Sequence, residues 1–147
     1  MNVSIEGCKN PVMEVEIYRA AHFFGRALLS HQMLPYIDLE VVMRTTITDL
    51  GTCDVTHYND WYKPRFFVIE LRRNRSFKTT ISTLAHEMVH LKQFAKGELA
   101  VMQDRWHKTF IDTDVVPYAE LPWEIEASSM EHVLYKMYVE QYGKPTT

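Results

Sequence analysis

The chain has 147 residues, of which 46% are hydrophobic and 24% charged, and its formal net charge is −3 at pH 7. This size and hydrophobic content predict one domain, residues 1–147, with a core of its own. The slightly acidic balance argues against a protein that binds nucleic acid through bulk electrostatics, because such domains carry a strongly basic face.

The cysteines and the apolar runs indicate the cellular compartment of the protein. Cys8 and Cys53 lie in unlike surroundings without C-x-x-C spacing, so neither a disulfide framework nor a thiolate metal site is expected, and a reducing cytoplasm fits. The chain start lacks a cationic region followed by an apolar one, and no apolar run approaches the roughly 18 residues that span a bilayer. We expect a soluble, unprocessed protein without a membrane partner.

The N-terminal region predicts a long helix. Asn10 and Pro11 are typical of a helix start, an asparagine cap followed by proline at the first helical position. Apolar residues then recur at helical spacing, at Met13, Ile17, Ala20, Phe24 and Leu28. We expect the helix to run to about Leu34, where Pro35 ends it.

Three β-branched and aromatic runs follow, LEVVMRTT at 39–46, CDVTHY at 53–58 and RFFVIELR at 65–72. The turn signal DLG separates the first two runs, and the polar loop NDWYKP separates the last two. The pattern predicts three strands in a mainly antiparallel meander. In the second loop, Trp61 and Tyr62 are expected to cap the sheet edge.

Two further helices complete the prediction. The first runs from about Thr79 to Lys96 and ends at Gly97, a candidate left-handed cap. Its core stripe is Ile81, Leu84, Ala85, Met88 and Leu91. After irregular or short-strand structure over 98–121, Pro122 opens a last helix that Gly143 closes. The predicted fold class is α+β.

The stretch STLAHEMVHLKQ places an H-E-x-x-H motif on the second helix. His86 and His90, four residues apart and roughly opposite the core stripe, are neighbours on the helix surface, so their rings can bind one zinc ion. Glu87 is rotated by about 100° from His86, which suits a general base that reaches a water on the metal. The alternative is a helix whose histidines face solvent or pair with carboxylates.

A catalytic zinc site normally has three protein ligands and one open position. His86 and His90 therefore need a third partner from elsewhere in the chain. The candidates in the sequence are Glu124 and Glu126, in LPWEIEAS, and His107, in RWHKTF.

HEMVH followed by ELPWEIEAS resembles the small zincin metallopeptidases with a glutamate third ligand, over about residues 66–137. These are the compact minigluzincins of the ImmA/IrrE type, together with short phage-encoded peptidases described as SprT-like. The resemblance implies a zincin-like fold, a Zn²⁺ cofactor and a protein or peptide substrate. It also implies the host cytoplasm as the location if the chain is viral.

In those families the third ligand lies in an E-x-x-A-(D/N) pattern, which Glu124 begins in this chain. Ser128 stands where an acid or amide is usual, and a carboxylate there would orient a ligand histidine. The resemblance therefore favours Glu124 over Glu126. SprT-like proteases use a third histidine, which would be His107, although HKTF lacks the usual glycine.

The zincin plan also implies that an edge strand lines the cleft and pairs with extended substrate. The sequence does not single out that strand. Conceivable donors to the oxyanion of a tetrahedral intermediate are His107, Tyr118 and Tyr62. Trp106 and Trp123 either wall the metal site against water or pack in the core of the last helix.

The main alternative is a zincin-like binding or regulatory module without turnover, because fold does not guarantee activity. A weaker one is a peptidase recruited to nucleic acid through the basic cluster at 72–78, for which a solvated loop is the plainer interpretation. The remaining histidines, His22, His31, His57 and His132, are isolated in the sequence and are interpreted as structural.

Overall fold

A computed structural model describes residues 1–56 and 63–146. Over these residues the chain is an α+β fold with three α-helices, a four-stranded mixed sheet and a short hairpin. The elements are β1 (Asn2–Glu6), α1 (Pro11–Leu28), β2 (Asp38–Arg44), β3 (Gly51–Val55), β4 (Phe66–Arg72), α2 (Phe77–Ala95), β5 (Arg105–Trp106), β6 (Thr109–Phe110) and α3 (Pro122–Tyr142). No helix in the described residues is long and apolar enough to cross a membrane.

The sheet has the order β1-β2-β4-β3, so the predicted three-stranded, mainly antiparallel meander is wrong. β1 and β4 both run parallel to β2, and only β3 and β4 are antiparallel. The DLG turn signal therefore does not close a hairpin between β2 and β3. Instead, β4 lies between these two strands.

Burial explains this order. The central strand β4 buries every second side chain, including Ile69 at 0% exposure, and β2 buries Leu39 and the consecutive residues 41–43. The edge strands bury fewer residues: β1 has none, and β3 has only Cys53 and Val55. Strands with little buried side-chain surface tolerate an edge, where one row of backbone groups faces solvent, better than fully buried strands do.

The first strand, β1, is an element that the sequence prediction missed. Its alternating burial, with Val3 and Ile5 half-buried between exposed neighbours, is the period-2 signal of a strand with one packed face. Helix α1 connects β1 to β2 and provides the crossover that neighbouring parallel strands require.

Helix α1 begins at Pro11 behind the Asn10 cap, as predicted, but it ends at Leu28 and not near Leu34. The backbone becomes extended at Leu29, whose side chain is buried in the core. Ser30 then starts a separate turn by accepting the backbone N–H of Met33. This local hydrogen bond competes with continuation of the helix.

The other two helices match the prediction closely. Helix α2 begins two residues early, behind the Ser76 cap, and Gly97 follows it with the expected positive φ of 73°. Helix α3 runs from Pro122 to the residue before Gly143, also as predicted. Helix α2 contacts α1, α3, β3 and β4, so it is buried on most sides.

A buried polar contact joins α1 to α3 away from the sheet. The Tyr138 hydroxyl donates to the Glu16 carboxylate at 2.5 Å, and the Arg19 guanidinium bonds both groups. Tyr138 is 0% exposed and Glu16 is 7% exposed. A carboxylate buried to this degree is stable only while it is paired.

We predict that Tyr138→Phe lowers the free energy of unfolding by about 1–3 kcal/mol, because the Glu16 carboxylate loses a buried donor. Urea denaturation measures the change. Tyr36→Phe, at a tyrosine that is 71% exposed, is the matched control and should be neutral. Equal stability of the two variants would contradict the prediction.

Candidate metal centre

The antiparallel packing of α2 and α3 builds the site. The Gln93 amide near the end of α2 bonds the Trp123 carbonyl at the start of α3. At the other end of the contact, the Phe77 ring lies 6.5 Å from the Tyr138 ring. The first turn of α3, which contains Glu124, is therefore held against the last half of α2.

Glu124 reaches both histidines of the motif. Its Oε1 lies 3.1 Å from Nε2 of His86, and its Oε2 lies 3.0 Å from Nε2 of His90. The two imidazole rings are 4.9 Å apart between centroids. One carboxylate from α3 thus bridges two imidazoles that lie one helical turn apart on α2.

The spacing of this donor set is compatible with a bound metal ion. Ligand atoms of His86, His90 and Glu124 all lie within 4.8 Å of one another. Tetrahedral zinc with bonds of about 2.0–2.1 Å separates its ligand atoms by about 3.3 Å. The observed nitrogen–oxygen distances of 3.0 and 3.1 Å are close to that value, so an ion fits with small side-chain movements.

The three groups perturb one another electrostatically. Burial alone would raise the pKa of Glu124, but hydrogen bonds from both histidines hold it at about 2. Burial likewise opposes protonation of His86, yet its bond to Glu124 and the nearby carboxylates raise its pKa to about 9. The negative charges around the imidazoles would equally stabilise a metal cation.

The contacts of Gln93 fix the ring of His90. The amide nitrogen of Gln93 donates to the Trp123 carbonyl and to Glu126, both at 3.0 Å. The amide oxygen must therefore face Nδ1 of His90, which is 2.8 Å away. An oxygen there requires a proton on Nδ1, so Nε2 is the nitrogen available to a metal.

The other ring, that of His86, has a carboxylate behind it. Oε1 of Glu131 lies 3.3 Å from Nδ1 of His86, on the side away from Glu124. Glu131 belongs to α3 and lies seven residues after Glu124. Ser128, where the family pattern has an acid or amide, is exposed.

Glu87 lies in the same cavity as the three donor residues. The cavity has a volume of about 460 Å³ and is bounded by α2, the first turns of α3 and the edge strand β3. Glu87 is 6% exposed, and burial raises its pKa to about 7. A carboxyl group with that pKa can accept and release a proton near neutral pH.

Gly51, the last residue of the DLG turn signal, allows Glu87 to lie close to β3. A Cβ on Gly51 would lie 2.6 Å from Cγ2 of Thr83 and 3.2 Å from Cγ of Glu87. It would also lie 3.1 Å from the Glu70 carbonyl oxygen. A larger residue would push α2 and its carboxylate away from β3.

The rival third ligands lie elsewhere. Glu126 accepts hydrogen bonds from Lys92 at 2.8 Å and from Gln93 at 3.0 Å. His107 is exposed at the tip of the β5–β6 hairpin, with its ring against Trp106, and it does not line the cavity. Neither residue joins the group formed by the two motif histidines.

Of the other residues that were predicted to contribute to the site, some line the cavity and others do not. Tyr118 lines the cavity, and burial together with its interaction with Glu124 raises the pKa of its hydroxyl. Trp123 is a core residue, 2% exposed, and neither it nor Trp106 lines the cavity. The predicted roles of Trp61 and Tyr62, and the interpretation of His57, fall on residues outside the described ranges.

The basic cluster at 72–78 lies at the end of β4 and the start of α2, and it does not line the cavity. Arg73 in this cluster donates to the Met43 carbonyl at 3.3 Å, which ties part of the cluster to β2. Arg75 and Lys78 are exposed.

Comparison of the chain with protein-family models, curated proteins and solved structures gives no significant match.

We predict that Gln93→Met lowers the free energy of unfolding by about 1–3 kcal/mol, because a buried carbonyl and an imidazole N–H lose their partner. Gln93 is 0% exposed, so water cannot replace the amide. Thermal and urea denaturation measure the loss. Gln141→Met, at an exposed position of α3, is the control, and a loss no larger than that of the control would refute the role of Gln93.

Proposed function

We propose that this protein is a zinc metallopeptidase of the zincin type. The observation that carries the proposal is the convergence of His86, His90 and Glu124 beside the buried carboxyl of Glu87. These four side chains come from two helices and share one cavity with an edge strand. A structural zinc site would instead be closed by four protein ligands.

Two imidazoles and one carboxylate are a ligand set found in catalytic zinc proteases. His86 and His90 would bind the ion through Nε2, and Glu124 would bind it through its carboxylate. Bound zinc would supply a Lewis acid for the substrate carbonyl and an activated water at neutral pH.

Glu87 is the proposed general base. Glu87 lines the same cavity as His86 and His90, and its pKa of about 7 suits proton transfer. We expect its carboxylate to reach a water at the metal position. It would take a proton from the attacking water and deliver it to the leaving amine.

Strand β3 is the proposed docking edge for an extended peptide substrate. In the β3–β4 ladder, the N–H of Thr56 bonds the Phe66 carbonyl, and the N–H of Arg72 bonds the Leu50 carbonyl. Even-numbered residues of β3 thus direct their backbone groups toward β4. The N–H and C=O groups of Gly51 and Cys53 point to the outer edge, where a peptide can add as another strand.

Of the two predicted oxyanion donors in the described residues, Tyr118 and His107, only Tyr118 lines the cavity. A tyrosine hydroxyl is protonated at neutral pH, and burial and the interaction with Glu124 raise the pKa of Tyr118 further, so the hydroxyl can act as a hydrogen-bond donor. His107 is directed away at the hairpin tip.

The order of elements supports the minigluzincin plan as the more specific fold proposal. The motif helix α2 follows a sheet whose edge strand β3 lines the cavity, and a later helix, α3, provides the glutamate in its first turn. A protein or peptide is therefore the substrate class that we propose.

We predict that the wild-type protein binds one zinc ion per chain and that Glu124→Gln weakens zinc affinity by at least about 100-fold. Mutation of a residue that only hydrogen-bonds to a metal ligand already lowers metal affinity by about 10–100-fold. Loss of a ligand itself should lower the affinity at least as much. Competition with a chromophoric chelator measures the affinity. Glu126→Gln is the matched control, two residues away, and should bind zinc almost as well as the wild type; the reverse order would show that Glu124 is not the ligand.

We predict that Glu87→Gln retains zinc but lowers peptide hydrolysis by at least about 100-fold, because general acid–base groups contribute about 10²–10⁴-fold. The substrate in the assay is a proteome-derived peptide mixture, in which mass spectrometry counts new termini. Undiminished cleavage by the variant would remove Glu87 from the mechanism. Absence of cleavage by the zinc-loaded wild type would favour a binding module over an enzyme.

A further inference from the structure

We infer that Glu131 is a positioning residue that fixes the ring of His86, in the place of the acid or amide that the family pattern has at Ser128. The inference rests on the proposed zinc site and adds a residue that the H-E-x-x-H and E-x-x-A patterns do not contain. Its basis is the contact of 3.3 Å between Oε1 of Glu131 and Nδ1 of His86.

The contact lies on the correct side of the ring. Nε2 of His86 faces Glu124 at 3.1 Å, while Nδ1 faces Glu131. A carboxylate at Nδ1 holds the proton on that nitrogen, so that Nε2 presents its lone pair to the ion. It also fixes the rotation of the ring about its bond to the backbone.

Helix geometry explains why Glu131 can take this role. At about 100° per residue, Glu131 is rotated by only about 20° from Glu124 around the axis of α3, whereas Ser128 is rotated by about 40° in the opposite sense. Because α2 and α3 are antiparallel, later residues of α3 face earlier residues of α2. Glu131 therefore meets His86, and Glu124 lies between His86 and His90.

The carboxylate of Glu131 has no competing partner. Within residues 1–56 and 63–146, its only ion-pair contact is with His86, and no lysine or arginine pairs with it. Its side chain is 22% exposed and that of His86 is 17% exposed, so the contact is partly shielded from water. The ring of His90 is fixed separately by Gln93.

The test compares zinc affinity and one proton signal in a set of variants. Glu131→Ala should weaken zinc binding by about 10–100-fold, and Glu131→Gln, which keeps an accepting oxygen, should fall between Ala and wild type. Glu140→Ala, at an exposed position on the same helix, should have no effect.

The second readout is the Nδ1 proton of each ligand histidine in ¹⁵N-labelled, zinc-loaded protein. We expect Glu131→Ala to accelerate solvent exchange of the His86 proton and to leave the His90 proton, which Gln93 accepts, unchanged. General damage to the helix would alter both signals. If the Ala variant does not fold, the same comparison between wild type and Glu131→Gln decides the question.

The outcomes separate the two proposals. A wild-type protein that binds no zinc overturns the proposed function and this inference with it. A wild-type protein that binds zinc, with unchanged affinity and an unchanged His86 proton in the Glu131 variants, overturns the role of Glu131 alone.

Discussion

The antiparallel contact between α2 and α3 is the constraint on which the candidate site depends. It places the first turn of α3 against the second half of α2, so that one carboxylate, Glu124, lies between the imidazoles of His86 and His90. The same contact puts Glu131 behind one ring and the Trp123 carbonyl beside Gln93. A small slip of one helix along the other would break all of these contacts together.

Such a contact is costly, because it removes ionisable groups from water. The side chains of His90 and Glu124 are 10% and 7% exposed, and burial of charged groups is unfavourable unless each has a partner. Complementary charges and a continuous set of hydrogen bonds offset this cost. The set extends beyond the three donor residues through Gln93 and Glu126 to Lys92.

The sheet contributes the other wall of the cavity. Because β4 lies between β2 and β3, strand β3 is at the edge of the sheet and not in the centre of a meander. It also contacts α2. Gly51 then allows Glu87 to pack closely against this strand. Among the described residues, no further strand pairs with the outer edge of β3. The close approach buries Glu87, which raises its pKa. Both properties serve the proposed peptidase chemistry.

By itself the sequence determined the features that depend on neighbours along the chain. Asn10 with Pro11, Gly97, and Pro122 with Gly143 mark helix ends through local backbone and hydrogen-bond preferences, and the predicted ends were correct at these positions. The spacing of the motif on α2 likewise fixes two imidazoles one turn apart, because helical geometry is the same in every fold.

The tertiary structure alone decided what depends on distant partners. The order of the strands follows from the α1 crossover and from which strands are buried, and no local turn signal such as DLG determines it. Glu124 and Glu126 differ by two positions, and only the packing of α3 on α2 directs one to the histidines and the other to Lys92. Glu131 and Gln93 became relevant for the same reason: a hydrogen bond between two helices depends on how they pack, and that packing is set by the whole core.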